Sequence, residues 1–221
     1  MKQELIKQIN QLDEHEIKEL RKEISKKSKY KKKGVYREKE NSLRFFNPDE
    51  WEKFVYSIKP NSRNYYWFLM LTGLRYNEAK HVKISHIDFV NKQIIVMNPK
   101  GRFKRHCQLS SYALKLIKQW IKQNNLKRDF SFEFPTIQHL SQLMKRVCKK
   151  QKITDWQDFS IHNLRKTHEN YLLALNLQEQ KITSHMGHTS KTANEHYISS
   201  GMIKNKEQLD KIRSWLGDIF G

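Results

Sequence analysis

Cysteine is scarce in this chain of 221 residues: only Cys107 and Cys148 occur, far apart and in no metal-ligand spacing. That excludes a disulfide framework and a cysteine-based zinc site, and it fits a reducing, intracellular setting. No apolar run approaches the ~18 residues that a membrane-spanning helix needs, and the N-terminus is charged from its second residue, so neither an export signal nor a membrane span is read. Acidic residues are short as well, 23 Asp and Glu against 43 Lys and Arg, and they form no cluster that would suit Mg²⁺. Internal repeats are missing, and the one biased tract is a basic run.

What is present is charge of one sign. The formal net charge of +20 makes the molecule repel itself unless something anionic neutralises it, and nucleic acid is the natural candidate. The alternative is lysine used as surface filler. A hydrophobic fraction of 37% with 11% aromatics supports folding, and the length allows one main core with a small appendage.

Residues 2–27 read as a helix, with Leu5, Ile9, Leu12, Ile17, Leu20 and Ile24 forming a narrow stripe suited to docking on the main domain or on a partner helix. "KKSKYKKKGVYREKE" follows without apolar periodicity and reads as a linker or as an arm along a phosphate backbone. A compact domain begins near Asn47, where "NPDE" offers an Asn N-cap, Pro at the first helical position and Glu at the third, ahead of Trp51, Phe54 and Val55. The next helix, "RNYYWFLMLTG", is apolar nearly all round and stops at Gly73. Between Ile84 and Leu109 the period changes: "KQIIVMN" and "RHCQL" flank a turn-like "PKGRF", with "HIDFV" as a third strand. Helical spacing then returns through Leu114, Ile117 and Ile121, through Ile137, Leu140, Leu143 and Val147, and through Ile161, Leu164, Leu172 and Leu175. The expected fold is α+β, mostly α-helical, with a small three-stranded antiparallel sheet. Residues 1–45 form a helix and basic linker, residues 46–221 the main domain, and residues 203–221 a C-terminal helix marked by Leu209, Ile212, Leu216 and Ile219.

Taken singly, the polar residues of interest are ordinary. Arg75 follows a glycine stop and could cap the preceding helix; Lys100 sits in a hairpin; His162 and Arg165 lie three apart on one face of a helix that Ser160 could cap; His188 follows a glycine; and Tyr197 comes nine residues after His188. Their order carries more. "TGLRYNEAKHVKISHID", "NPKGRFKRHCQLS", "IHNLRKTHENYLL" and "MGHTSKTANEHY" resemble, in register, the signature segments of the tyrosine recombinases, also called phage integrases.

The resemblance implies a nucleophile at Tyr197, two phosphate-binding arginines at Arg75 and Arg165, a general acid at Lys100, an acid/base partner at His162 and a phosphoryl hydrogen bond from His188. Those residue types suit the chemistry. Displacement at a phosphodiester builds charge on phosphoryl oxygens, and a guanidinium offers paired donors that match them. A phenol of pKa ~10 leaves again more readily than an alkyl hydroxyl, so the covalent link is reversible without ATP or metal. By the same resemblance Glu78 braces the site. Departures are Lys166, where the family often has a second histidine, Lys104, which competes with Lys100 for the acid role, and an N-terminal domain that is reduced or absent.

The activity so implied is site-specific strand exchange on double-stranded DNA by an intracellular protein that self-associates there, from dimer to tetramer, with the C-terminal helix docking in cis or on a neighbour. Alternatives are a type IB topoisomerase-like nicking and resealing enzyme and a DNA-binding module without turnover. A metal-dependent nuclease, invited by ten histidines including His185 and His188, lacks paired ligands.

Overall fold

The structure is a computed structural model that describes residues 15, 16, 19, 44–97, 105–187, 203 and 205–221. The chain divides into two units, residues 1–42 and 43–221. The stripe expected over residues 2–27, the basic linker and the hairpin turn around Lys100 lie largely outside the described residues.

In the second unit, α1 (Pro48–Tyr56) starts as its sequence predicts. The Glu50 N–H donates to Asn47 Oδ1 at 2.8 Å and the Asn47 N–H to Glu50 Oε2 at 3.2 Å, which closes a capping box. Trp51, Phe54 and Val55 are buried on its inner face. The helix α2 (Pro60–Thr72) is buried from Tyr66 to Thr72 and ends at Gly73, whose left-handed backbone (φ 62°) turns the chain. A short helix, α3 (Tyr76–Ala79), follows.

The sheet is antiparallel in the order β1 (Ile87–Asp88), β2 (Gln93–Val96), β3 (Arg105–Gln108). Ile94 lies opposite both Ile87 and Cys107, and Val96 lies opposite Arg105. Ile94, Val96 and Cys107 are buried, so period-two alternation gives Arg105 the inner face as well. The first strand is shorter than "HIDFV" suggests. Asp88 Oδ1 accepts from the N–H groups of Val90 (3.0 Å) and Asn91 (2.9 Å), a local turn that ends the ladder and leaves Val90 exposed.

Four further helices complete the unit: α4 (Ser111–Gln123), α5 (Ile137–Lys150), α6 (His162–Ala174) and α7 (Glu179–Met186), with α8 (Lys206–Leu216) near the C-terminus. Ser110 Oγ caps α4 by accepting from the Ala113 N–H at 3.1 Å, and Thr136 caps α5. The central α2 packs on α4 and α6, while α7 packs on β3 and α6. In this single chain α8 lies on α1, α4 and α6, with Ile212, Trp215, Leu216 and Ile219 buried. Among the described residues no helix is long and apolar enough to cross a membrane.

Candidate active site

The site is built where α2, β3, α6 and α7 meet. Gly73 has no room for a side chain: a Cβ there would stand 2.5 Å from His168 Cδ2, and φ is positive. The turn sets Arg75 in extended backbone as the N-cap of α3, not as a C-cap of α2. Its N–H donates to Glu78 Oε2 at 2.8 Å, and its guanidinium Nη1 donates to Glu78 Oε1 at 3.2 Å. The Arg75 side chain remains 47% exposed, open to an anion from solvent.

Arg165 is the opposite case, 3% exposed on α6. Its Nη1 donates to the Gly73 carbonyl at 2.6 Å and its Nη2 to the Met186 carbonyl. These carbonyls close the ends of α2 and α7, where the helix dipoles are negative. Burial, then the charges of Arg75 and Arg105, pull the guanidinium pKa down to about 10, which still leaves it charged at neutral pH.

Glu78 binds two of these cations. Besides Arg75 it accepts from Arg105 Nη2 at 2.8 Å, and Arg105 Nη1 donates to the His185 carbonyl. Burial alone would raise the Glu78 pKa. Arg105 first, then the Arg75 N–H and the charges of Arg75 and Arg165, outweigh it and hold the carboxyl below the usual range.

His162 opens α6, one turn before Arg165. It is exposed, yet desolvation by its surroundings, followed by the charges of Arg165, Lys166 and Arg75, lowers its pKa. A neutral imidazole there can accept a proton at physiological pH. Ser160 does not cap this helix with its own oxygen. Asn163 Oδ1 instead accepts from the Ser160 N–H (2.8 Å) and hydroxyl (2.7 Å), because its amide can reach back one turn while its Nδ2 donates to the Arg44 carbonyl at 2.6 Å.

Beneath the arginines is a buried histidine pair. His168 and His185 stack with ring centroids 5.0 Å apart. His168 Nδ1 lies 2.8 Å from the Met70 carbonyl, so it carries the proton and donates; its Nε2 then accepts from His185 Nε2 at 2.9 Å, and His185 Nδ1 accepts from the Gln108 N–H at 3.2 Å. Each bond fixes the next tautomer, and both rings are neutral. Burial drives His168 down to about 3 and His185 well below its ordinary value. Cys107, whose thiol donates to the Thr72 carbonyl at 3.1 Å, is pushed up to about 12 by burial and packs as a small apolar group.

Of the six residues singled out from the sequence, the structure brings Arg75, His162 and Arg165 into one electrostatic cluster; Lys100, His188 and Tyr197 lie outside the described residues, as does Lys104. The helix α7 ends at Gly187 in left-handed conformation (φ 63°), directly before His188.

With this geometry in hand, comparison with known proteins is decisive. The Phage integrase family matches residues 44–202, most of the chain. The chain belongs to the phage integrase family. A probable integrase/recombinase of Acholeplasma phage L2 is 29% identical over 163 residues, covering 70% of this chain and 55% of that protein. XerA recombinase superposes with a TM-score of 0.57 at 19% identity, over 77% of this chain and 64% of its own. The Tn1549 transposon integrase, solved with transposon right end DNA, gives 0.59 at 16% identity, over 81% and 67%. At these identities the structures establish the fold, mostly helical with one small antiparallel sheet, and this family member spans little more than half of the Acholeplasma phage protein.

Sequence reasoning missed Arg105 and His168, and it assigned no structural role to His185. For Arg105 a signal existed: it alternates with buried Cys107 and Leu109, which points it inward. His168 lies one turn after Arg165, on the same helix face.

Proposed function

We propose that this phage integrase family chain is a site-specific DNA recombinase that cuts and rejoins strands through a covalent 3′-phosphotyrosyl intermediate. The observation that carries the reading is a surplus of fixed positive charge around one carboxylate. Arg75, Arg105 and Arg165 act on Glu78, with Glu169 the further acid near Arg165, so cations outnumber acids where the exposed Arg75 side chain faces solvent. Such a site suits a phosphate whose negative charge grows in the transition state.

In the proposed step the Tyr197 phenol attacks phosphorus and the bond to the 5′-oxygen breaks. His162 takes the phenolic proton, Lys100 gives one to the departing 5′-oxygen so that it leaves as a hydroxyl, and His188 donates to a phosphoryl oxygen. Attack by a 5′-hydroxyl reverses the sequence and frees Tyr197, so bond energy is conserved without ATP or metal. The intracellular setting, the duplex partner and self-association on DNA, from dimer to tetramer, belong to the same proposal. Exchange of residues 203–221 between subunits would break and remake in trans the buried bond from the Ser110 hydroxyl to the Trp215 carbonyl, the Ser111–Asp218 bonds and a set of ion pairs. The ion pairs Lys211–Asp49 (2.7 Å), Lys211–Glu52 (2.8 Å) and Lys92–Asp218 (3.2 Å) that fasten this segment are part-exposed and weak.

The test is covalent capture. A library of nicked duplexes with a randomised core, incubated with the chain and run under denaturing conditions, should leave DNA attached to wild type and none to Tyr197→Phe. Sequencing the captured DNA gives the target site. Strand exchange between two labelled duplexes carrying that site separates a recombinase from a topoisomerase-like enzyme. No adduct from wild type across the library would overturn the catalytic reading.

A further inference from the structure

We infer that Arg105, on β3, is a positioning residue for the strand-cleavage reaction, joining the Arg75–Glu78 pair to the end of the helix that leads to His188. The inference rests on the recombinase reading above.

Three contacts converge on this one side chain. Its Nη2 donates to Glu78 Oε2 at 2.8 Å, while the other oxygen of the same carboxylate receives Arg75 Nη1 at 3.2 Å. Its Nη1 donates to the His185 carbonyl in the last turn of α7. Its Cδ and Nε lie where a side chain at Gly187 would begin, 2.8 and 2.9 Å from an added Cβ, so the guanidinium stem packs directly on the residue before His188. Arg165 holds the neighbouring carbonyl, that of Met186. Two arginines from different elements therefore fasten consecutive carbonyls at the C-terminus of α7, where the helix dipole favours cations.

The consequence is mechanical. Arg75 is half-exposed, and Glu78 is its one carboxylate hydrogen-bond partner among the described residues. Glu78 is itself set by Arg105, and a planar guanidinium with donors on two nitrogens can span the carboxylate and the carbonyl at once. A lysine carries the charge on a single point and satisfies one acceptor at a time. Arg105 need not touch DNA: it orients Arg75 through Glu78 and steadies the turn before His188. A displacement of about 1 Å at such a group costs on the order of 10²-fold in rate.

The experiment uses the full chain and the duplex recovered by covalent capture. Adduct formation is followed in single turnover at saturating protein, with duplex affinity and Tm measured on the same variants. Arg105→Gln should slow adduct formation by roughly 10- to 100-fold at saturation, with affinity and Tm close to wild type, and Arg105→Lys should recover only part of the loss. In a Glu78→Gln background the further loss from Arg105→Gln should shrink to a few-fold, because the two residues act through one contact. Equal losses in both backgrounds that track Tm would overturn the inference in favour of a structural role, as would wild-type rates from Arg105→Gln. Absence of adduct from the wild-type chain would instead overturn the recombinase reading, and this inference with it.

Discussion

Trp51 and His168 are both fully buried, and their surroundings have little in common. Around Trp51 the interior is aromatic: Phe46 stacks on Phe159 (4.1 Å) and Phe54 (4.9 Å), and Trp51 meets Trp67 edge to face at 5.1 Å. Around His168 it is polar: His185, the Met70 carbonyl and the charge of Arg165 surround the ring. The first interior is held by apolar area and ring geometry, which any filling side chain partly reproduces. The second is held by a chain of single donors and acceptors, each of which is costly to leave unmade. Stability resides mainly in the first, while the second places Gly73, Arg165 and the end of α7, and with them the candidate chemistry.

The largest effect should come from the aromatic side. Trp51→Ala empties a site enclosed by rings and should lower unfolding free energy by about 3–5 kcal/mol. Trp51→Phe keeps a ring there and removes an Nε1–H that has no hydrogen-bond partner among the described residues, so it should cost distinctly less. Urea denaturation of the two variants checks this. Similar losses from both would mean that the indole contributes something other than packing.

Within the polar region the two motif arginines should separate. Arg75→Ala should slow covalent adduct formation by roughly 10²–10³-fold, about 3–4 kcal/mol in the barrier. It should shift stability by less than about 1 kcal/mol, because the Arg75–Glu78 pair is half-exposed. Arg165→Ala should show a comparable rate loss together with lower stability, by about 1–3 kcal/mol, since the Gly73 and Met186 carbonyls lose their donor. Single-turnover cleavage and thermal unfolding, run on both variants, would break the contrast if the two proved equally stable.

The same contrast explains what could be read from the sequence. The aromatic interior was legible because burial leaves periodicity: "NPDE" gives the cap of α1, α2 is apolar nearly all round, and the hairpin alternates. Arg75, His162 and Arg165 stood out because they fall, in sequence order, on segments that resemble the signature motifs of the phage integrase family. The supporting shell was not. Arg105 reaches the carbonyl of a residue 80 positions away, and Arg165 one 92 positions away, and such partnerships are decided by packing rather than by any local pattern. Ser160 shows the limit at short range. It is a good N-cap by type, but its hydroxyl donates to Asn163 Oδ1 instead of accepting from a helix N–H, with the Asn163 amide tied to the Arg44 carbonyl.

The smallest effect is the one that separates the two interiors by pH. His168, held near 3, and His185, also far below its ordinary value, stay neutral in the folded chain but take up protons near pH 6.5 when unfolded. Their depressed values mean that stability is complete above pH ~6.5 and drains as pH falls toward the folded values, at up to about 1.4 kcal/mol per pH unit for each ring. Between pH 7 and 5.5 the pair should therefore remove roughly 2 kcal/mol. His162 and His86, also held low, add smaller contributions of the same sign. Asp49, Glu78 and Asp218 stay ionised across this window because their pKa values are lowered, and Arg165 beside the pair, at about 10, stays charged. Urea unfolding at the two pH values should thus give a slope that His168→Gln roughly halves, since an amide can still donate and accept but takes no proton. Trp51→Phe should move the whole curve down and leave its slope alone. A stability that is flat between pH 7 and 5.5 would mean that the paired rings gain protons without unfolding, and that the polar interior is less closed than its geometry implies.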